Sequence, residues 1–334
     1  MEQNTTMGRN DLSRDLYQQF ILINIVYLNA IVSLFGVAGN MVNLVVFVRQ
    51  GFGDNINRSL FALAVADIVS LLIGLISSLC RNPDFANADI SLNAEEFQDV
   101  MVPFVRGALS RIISSVTAFI TFERCFCVLL PLKVKTILTA HVTDVALCLI
   151  FLSMGLTGIP FYLVESLGWK FDVLKNKTVL GRVHLPYTGP ADINVTIFIH
   201  TCVQIISYSV IVIFTFLLLV KLKQQSEWRK KTTENMQKNS LGAKRKLNKT
   251  LALVSTMAVT YLVCYSPMIA FQIVYFFEPG FSMFGDLVNY FLVGMSFSVL
   301  FETFNSSLSF FLYFSISAKY RKTFKTMFSF FTTQ

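Results

Sequence analysis

The chain has 334 residues, 54% of them hydrophobic and 14% charged, with a mean hydropathy of +0.59. That excess over what a soluble core needs leaves an integral membrane protein as the reading. A net charge of +8 would suit nucleic acid, but the basic residues sit between apolar blocks and at the C-terminal end, the pattern of a cytoplasmic membrane face.

A helix crosses a bilayer in roughly 20 apolar residues, and seven segments meet that length. They run from Phe20 to Val48, Asn57 to Leu79, Val100 to Leu130, Val142 to Val164, Ile193 to Leu222, Lys249 to Phe277 and Asp286 to Phe314. The fold class is an all-α membrane bundle of seven transmembrane helices. Residues 1–19 form an extracellular tail, residues 20–314 the seven-span domain, and residues 315–334 a cytoplasmic tail. Met1 to Gln19 is polar and mixed in charge, so no secretory signal peptide is read there.

Orientation follows from the basic residues. Arg49, Arg58, Lys133 and Lys135, the basic fifth connection and Lys319, Arg321, Lys322 and Lys325 fall on one side, and the alternate loops carry Asp84, Asp89, Glu95, Glu96, Asp99, Glu278 and Asp286. The N-terminus is therefore placed outside and the C-terminus in the cytoplasm, as in a multi-pass plasma-membrane protein. Sequons at Asn4, Asn176 and Asn194 fall on the outer side and are candidate glycosylation sites, whereas those at Asn57, Asn248 and Asn305 do not. The glutamate-to-aspartate loop over residues 165–192 is mixed in charge. After the seventh span, Tyr320, Phe324, Met327, Phe328 and Phe331 recur at spacings of three and four among basic residues, which predicts an amphipathic helix on the inner membrane surface.

The polar residues within these spans fall in a recognisable order. Gly39-Asn40, Leu63-Ala64-Val65-Ala66-Asp67, Glu123-Arg124-Cys125 followed by Pro131-Leu132, Tyr261-Leu262-Val263-Cys264-Tyr265-Ser266-Pro267, and Asn305-Ser306-Ser307-Leu308-Ser309-Phe310-Phe311-Leu312-Tyr313 resemble successive motifs of rhodopsin-like (class A) G-protein-coupled receptors. FERCFCVLLPLKVK and FETFNSSLSFFLYFSISAKYR are similar to molluscan chemosensory receptors. The resemblance implies a signal-transducing receptor with a heterotrimeric G protein and a small-molecule or short-peptide ligand as partners. A neuropeptide receptor of the same fold is the alternative.

The chain departs from the family pattern too. Asp99 stands where the family has a third-span cysteine, the following outer loop has none, Tyr265 replaces a tryptophan, and Ser309 and Phe310 replace Asn-Pro. A bridge between Cys80 and Cys202 is the alternative staple.

Two adjacent charges near the end of an apolar span need partners. In the resemblance, Glu123 holds Arg124 at rest and activation frees the arginine for the G protein, with Cys125 and Tyr313 in the same switch; the plain alternative is two interfacial charges snorkelling to water. Asn40, Asn305, Ser306 and Ser309 come from the two helices expected beside Asp67 and are candidates for a polar network that holds water or a sodium ion; a protonated Asp67 in a water network is the plain alternative. Ile113 stands where a further hydroxyl would be expected. No other cofactor is expected.

Arg106 lies 18 residues before Arg124, five turns at about 3.6 residues per turn, and so on the same helical face. The resemblance aims it into the ligand cavity, where a permanent cation favours an anionic ligand. Pairing with Glu302 is the competing use, and a ligand that displaces Glu302 reconciles the two. Ser110, Tyr265, Gln272, Val299 and Thr303 are the other expected ligand contacts, each equally accounted for by packing. Arg111 projects about 140° from Arg106, towards a neighbouring helix. Pro267 serves as a hinge or a static kink in the sixth span.

Three widely separated histidines and no HExxH, GxSxG or P-loop pattern count against an enzyme. A transporter or channel would have to line its path with Asp67, Arg106, Arg124 and Glu302; ligand-induced GTP exchange against ligand-dependent current separates it from a receptor.

Overall fold

The computed structural model describes residues 14–130, 133–162, 165–173, 176–184, 190–232, 238–283 and 285–329. The chain begins with α1 (Arg14–Ile21), widens through a π-helical stretch (Leu22–Leu28) and continues as α2 (Asn29–Gln50). The first helix thus starts six residues before the expected boundary. Then come α3 (Asn55–Cys80), a short α4 (Pro83–Ala86), α5 (Ala94–Leu129), a turn α6 (Val134–Ile137), α7 (Ala140–Leu156) and a turn α8 (Ile159–Tyr162). Two strands, β1 (Glu165–Asp172) and β2 (Lys177–His184), precede α9 (Pro190–Thr232), α10 (Lys238–Phe277), α11 (Val288–Ile316) and α12 (Ala318–Ser329).

Among the described residues, six helices contain stretches long and apolar enough to cross a membrane, and α7 makes a shorter apolar helix of 17 residues. At about 1.5 Å per residue it is about 26 Å long. The span expected to reach Val164 therefore ends early. Pro160 explains the stop: it has no N–H to give to Leu156 O, so α7 ends there and a separate turn starts at Ile159, just after Gly158. Thr139 caps the other end, its hydroxyl accepting from Val142 N at 3.3 Å.

Helix α2 shows what holds the bundle together. Asn29, Ser33, Gly36, Asn40 and Asn43 recur every three or four residues and are buried, while Leu34 (60% exposed) and Phe35 (71% exposed) point outward. Polar-in and apolar-out suits helices whose solvent is hydrocarbon, because only protein partners can satisfy the polar groups. Asn29 Nδ2 donates to Gly74 O (2.9 Å) and Ser78 Oγ (2.8 Å) of α3; Asn40 Nδ2 donates to Ser306 O of α11 (2.8 Å). Between them Gly36 admits α11, since a Cβ there would meet Ser307 Oγ at 2.2 Å and Leu71 Cδ1 at 2.8 Å. Gly36→Val is accordingly expected to lower stability by about 1–3 kcal/mol. Valine at Gly53, where nothing lies within 4 Å, is expected to be neutral. Thermal unfolding in detergent compares the two.

Proline in α10 is accommodated without a break. Pro267 has no N–H for Val263 O, and Ser266 Oγ donates to that carbonyl instead, at 2.8 Å. Tyr208 of α9 donates to the neighbouring Leu262 O at 3.1 Å.

The loop before α9 is not irregular. β1 and β2 pair antiparallel from Glu165↔His184 to Asp172↔Lys177, and Asn176 turns the chain at φ 47°, the left-handed region that asparagine tolerates. Leu180 N donates to Ser91 O (3.0 Å) and Asn93 N to Leu180 O (2.9 Å), which ties the hairpin to the approach of α5.

At the opposite end, α12 turns much of its apolar stripe into the bundle rather than toward a membrane surface. Tyr320 is 1% exposed, Phe324 lies 5.4 Å from Phe314 and 6.1 Å from Phe310 (ring centroids), and Met327 packs against the same core. The side chain of Phe328 and all of Phe331 lie outside the described residues.

Candidate functional site: a buried arginine beneath a cavity

Arg106 sits in α5 with its residue 7% exposed. Its Nη2 donates to Val299 O and to Thr303 Oγ1 of α11, both at 2.8 Å. Thr303 Oγ1 in turn donates to Asn29 Oδ1 at 2.7 Å, so the guanidinium is steered by a chain of contacts through α11 to α2. Glu302, also 7% exposed, places Oε2 3.8 Å from Arg106 Nε and accepts from Ser110 Oγ at 3.0 Å. The expected pair therefore forms, but loosely: Arg106 Nε and Nη1 have no hydrogen-bond acceptor. Two nitrogens, with three N–H groups between them, left without acceptors on a buried, permanently charged fork are costly and give a ligand places to bind.

A cavity of about 770 Å³ opens above this group. Its walls come from α1 and the wide turn after it, α3, α4, α5 and α11, with Arg106, Val299 and Ser296 at depth and Asp15, Glu95 and Arg81 among the outer residues. The volume is in the range of small-molecule sites. Among the described residues α9 and α10 contribute nothing to its lining. Tyr261 and Tyr265 of α10 stack at 4.1 Å, Gln204 Nε2 donates to Tyr261 Oη at 3.1 Å, and together they close that side. Tyr265 adjoins Ser110 and Glu302, whereas Gln272 is not among the residues that line the cavity, and its Oε1 is buried without a hydrogen-bond partner. Of the expected ligand residues, Arg106, Ser110, Val299, Glu302, Thr303 and Tyr265 come together. Asn29 was missed; its place on the polar stripe of α2 was the available signal.

Arg111 faces away as expected, donating to Thr157 Oγ1 at 3.2 Å beyond the end of α7. The same threonine carbonyl contacts His200 Nε2 of α9 at 3.0 Å.

No disulfide links the hairpin to the bundle, and all six cysteines, Cys80 and Cys202 included, are free. Charge takes that place. Asp99 accepts from Arg182 Nη2 of β2 (2.9 Å) and from Nη2 of Arg81, just past the end of α3 (2.9 Å), while Arg182 Nη1 also approaches Glu165 at 3.7 Å. Glu96 accepts from Lys170 Nζ (2.7 Å) and from Arg182 N (2.8 Å). Gly181 allows this approach, since a Cβ there would sit 2.3 Å from Glu96 Oε2.

Toward the α12 end, Arg124 Nη2 donates to Glu123 Oε1 at 2.5 Å, with side chains 11% and 2% exposed. Glu123 Oε2 and Arg124 Nε have no partner. Cys125 is buried beside them in sequence; Tyr313 is 1% exposed, edge-on to Phe47 at 5.2 Å, with its hydroxyl unpartnered.

Asp67 is 1% exposed and accepts from Ser309 Oγ at 3.2 Å, with Ser306 alongside. Its Oδ1 has no partner, an orphan acceptor that a cation or water would satisfy. Asn40 is occupied elsewhere, accepting from Asn43 Nδ2 at 3.0 Å, and Asn305 is half-buried on α11 without a hydrogen bond to Asp67. Ile113 is buried where a third-span hydroxyl would be needed. The donor set thus fits sodium only in part. Tyr320 Oη donates to Asn43 Oδ1 at 2.6 Å, extending the polar chain to α12, and burial raises the Tyr320 phenol so that it keeps this proton.

Of the three outer sequons, Asn176 is exposed at the hairpin turn, Asn194 falls within α9, and Asn4 lies outside the described residues.

The family model for the serpentine type 7TM GPCR chemoreceptor Srw matches residues 27–331. The chain belongs to the Srw family. It is a multi-pass membrane protein of the chemoreceptor type, and the match runs from the end of the π-helical stretch through α12. No curated protein matches this Srw chain.

Proposed function

We propose that this Srw chain is a plasma-membrane G-protein-coupled chemoreceptor for an anionic small molecule or short peptide, rather than an enzyme. The carrying observation is Arg106: a buried guanidinium with two nitrogens lacking acceptors, at the floor of a cavity of about 770 Å³. A ligand carboxylate takes those donors and competes with Glu302 for the cation. The distribution of basic segments supports an orientation with the N-terminus and hairpin outside and α12 in the cytoplasm. Residues 1–19 are then the outer tail and residues 315–334 the cytoplasmic tail, with Asn4, Asn176 and Asn194 as outer glycosylation sites. The rhodopsin-like and molluscan resemblances belong to this proposal and support coupling through Glu123 and Arg124. A sodium ion at Asp67 is retained as a secondary part of it.

The test is GTP exchange on purified heterotrimeric G proteins, with receptor in nanodiscs and a panel of carboxylate metabolites, amino acids and free-acid or amidated peptides. A carboxylate agonist that drives exchange is expected, as is loss of exchange but not of binding in Arg124→Ala. Ligand-dependent current without exchange would overturn the receptor assignment, and normal exchange by Arg124→Ala would overturn the switch.

A further inference from the structure

A second cavity, of about 330 Å³, lies at the α12 end between α2, α3, α10, α11 and α12. Its polar lining is rich in donors. Lys249 of α10 and Lys319 of α12 supply ammonium groups, and Gln50 Nε2 and Tyr313 Oη are buried donors with no acceptor. Tyr313 is 1% exposed, so its hydroxyl cannot turn to solvent. Asp54 is the carboxylate in the lining; it reaches Lys319 Nζ at 3.5 Å. Tyr320 Oη is already committed to Asn43.

Two buried donors without acceptors beside two lysines call for an anion with several acceptor oxygens. A carboxylate has two; a phosphate monoester has three, with a charge near −2, and can meet the lysines, the phenol and the amide together. We propose that this cavity binds a phosphate monoester, drawn from a lipid headgroup or from a soluble phosphate compound. Occupancy bridges α10 to α11 and α12, so it favours the arrangement in which these helices are held together. The binding site does not rest on the receptor reading, and the measurement below needs neither an agonist nor a G protein.

The test uses the full chain in nanodiscs of phosphatidylcholine alone, with phosphatidylserine, or with a phosphatidylinositol phosphate at matched charge. Melting temperature and lipid retained in native mass spectrometry are the readouts; inorganic phosphate and inositol phosphate are added to the phosphatidylcholine discs in parallel. The phosphoinositide is expected to raise the melting temperature by several degrees and phosphatidylserine much less. Stabilisation by the soluble phosphates alone assigns the same site to a soluble source. Lys249→Gln is expected to weaken binding at least tenfold and Tyr313→Phe several-fold with no change of charge. Lys325→Gln, on α12 but outside the cavity lining, is expected to change it less than twofold. Equal stabilisation by phosphatidylserine, or equal loss in Lys325→Gln, would reduce the effect to surface electrostatics and overturn the proposal, as would absence of stabilisation by every phosphate tested.

Discussion

Arg106→Ala is expected to abolish the response to an acidic agonist, with no recovery at ligand concentrations about a thousandfold above those that saturate the parent receptor. Three features set the size of the effect. The guanidinium is buried, its N–H groups are the unpartnered donors beneath the cavity, and its loss leaves Glu302 as an uncompensated carboxylate in the same space. Removing one partner of a buried pair typically costs about 3–5 kcal/mol, so the single variant risks misfolding as well as ligand loss. The double variant Arg106→Ala with Glu302→Gln separates these effects: surface expression is expected to return and the response is not. Glu302→Gln alone removes the internal competitor and is expected to tighten binding of the acid by about tenfold, or about 1.4 kcal/mol. Dose–response curves alongside surface labelling decide the matter, and an unchanged curve for Arg106→Ala would reject the anionic pocket.

Breaking the charged clasp on the hairpin is expected to have the next largest effect. Asp99, Arg81, Arg182 and Glu165 form one connected set, and Glu96 with Lys170 a second beside it. Arg182 and Asp99 are 30% and 26% exposed at the side chain, so their pair is partly screened by solvent. A coupling of about 1 kcal/mol is the expected scale in a double-mutant cycle of Asp99→Asn and Arg182→Gln. The structural consequence exceeds that figure, because Arg81 both joins the clasp and lines the cavity. Amide exchange in β2 is expected to rise at least tenfold in either variant, and agonist to dissociate faster. Raising salt from 0.1 M, where the screening length is about 10 Å, should weaken the parent clasp and leave the double variant little changed. Reductant is expected to do nothing, given six free cysteines; loss of hairpin protection on reduction would show a covalent staple instead.

The legible features of this chain were those set by short windows of sequence. Seven apolar segments gave the bundle, and even the short α7 was legible, though Pro160 cut it before its expected end. Arg106, Ser110, Glu302 and Thr303 were also legible, because period and motif place them on facing stripes of two helices. The hairpin was not read, although Leu167, Trp169 and Phe171 alternate and Asn176 can turn the chain. Its polar, mixed-charge composition hid that signal between two strongly apolar spans.

The sequence by itself determined that this chain crosses a membrane several times and carries charged residues toward both ends of its third span. Burial of about 20 apolar residues in hydrocarbon outweighs any local alternative, and that sum is taken along the chain. Only the tertiary structure decided who meets whom. Arg182 finds Asp99 across 83 residues, Tyr320 finds Asn43 across 277, and the stacked tyrosines of α10 turn the cavity toward α1, α3 and α11. Each of those meetings depends on helix rotation, where one residue changes direction by about 100°, so it is fixed by packing and not by composition.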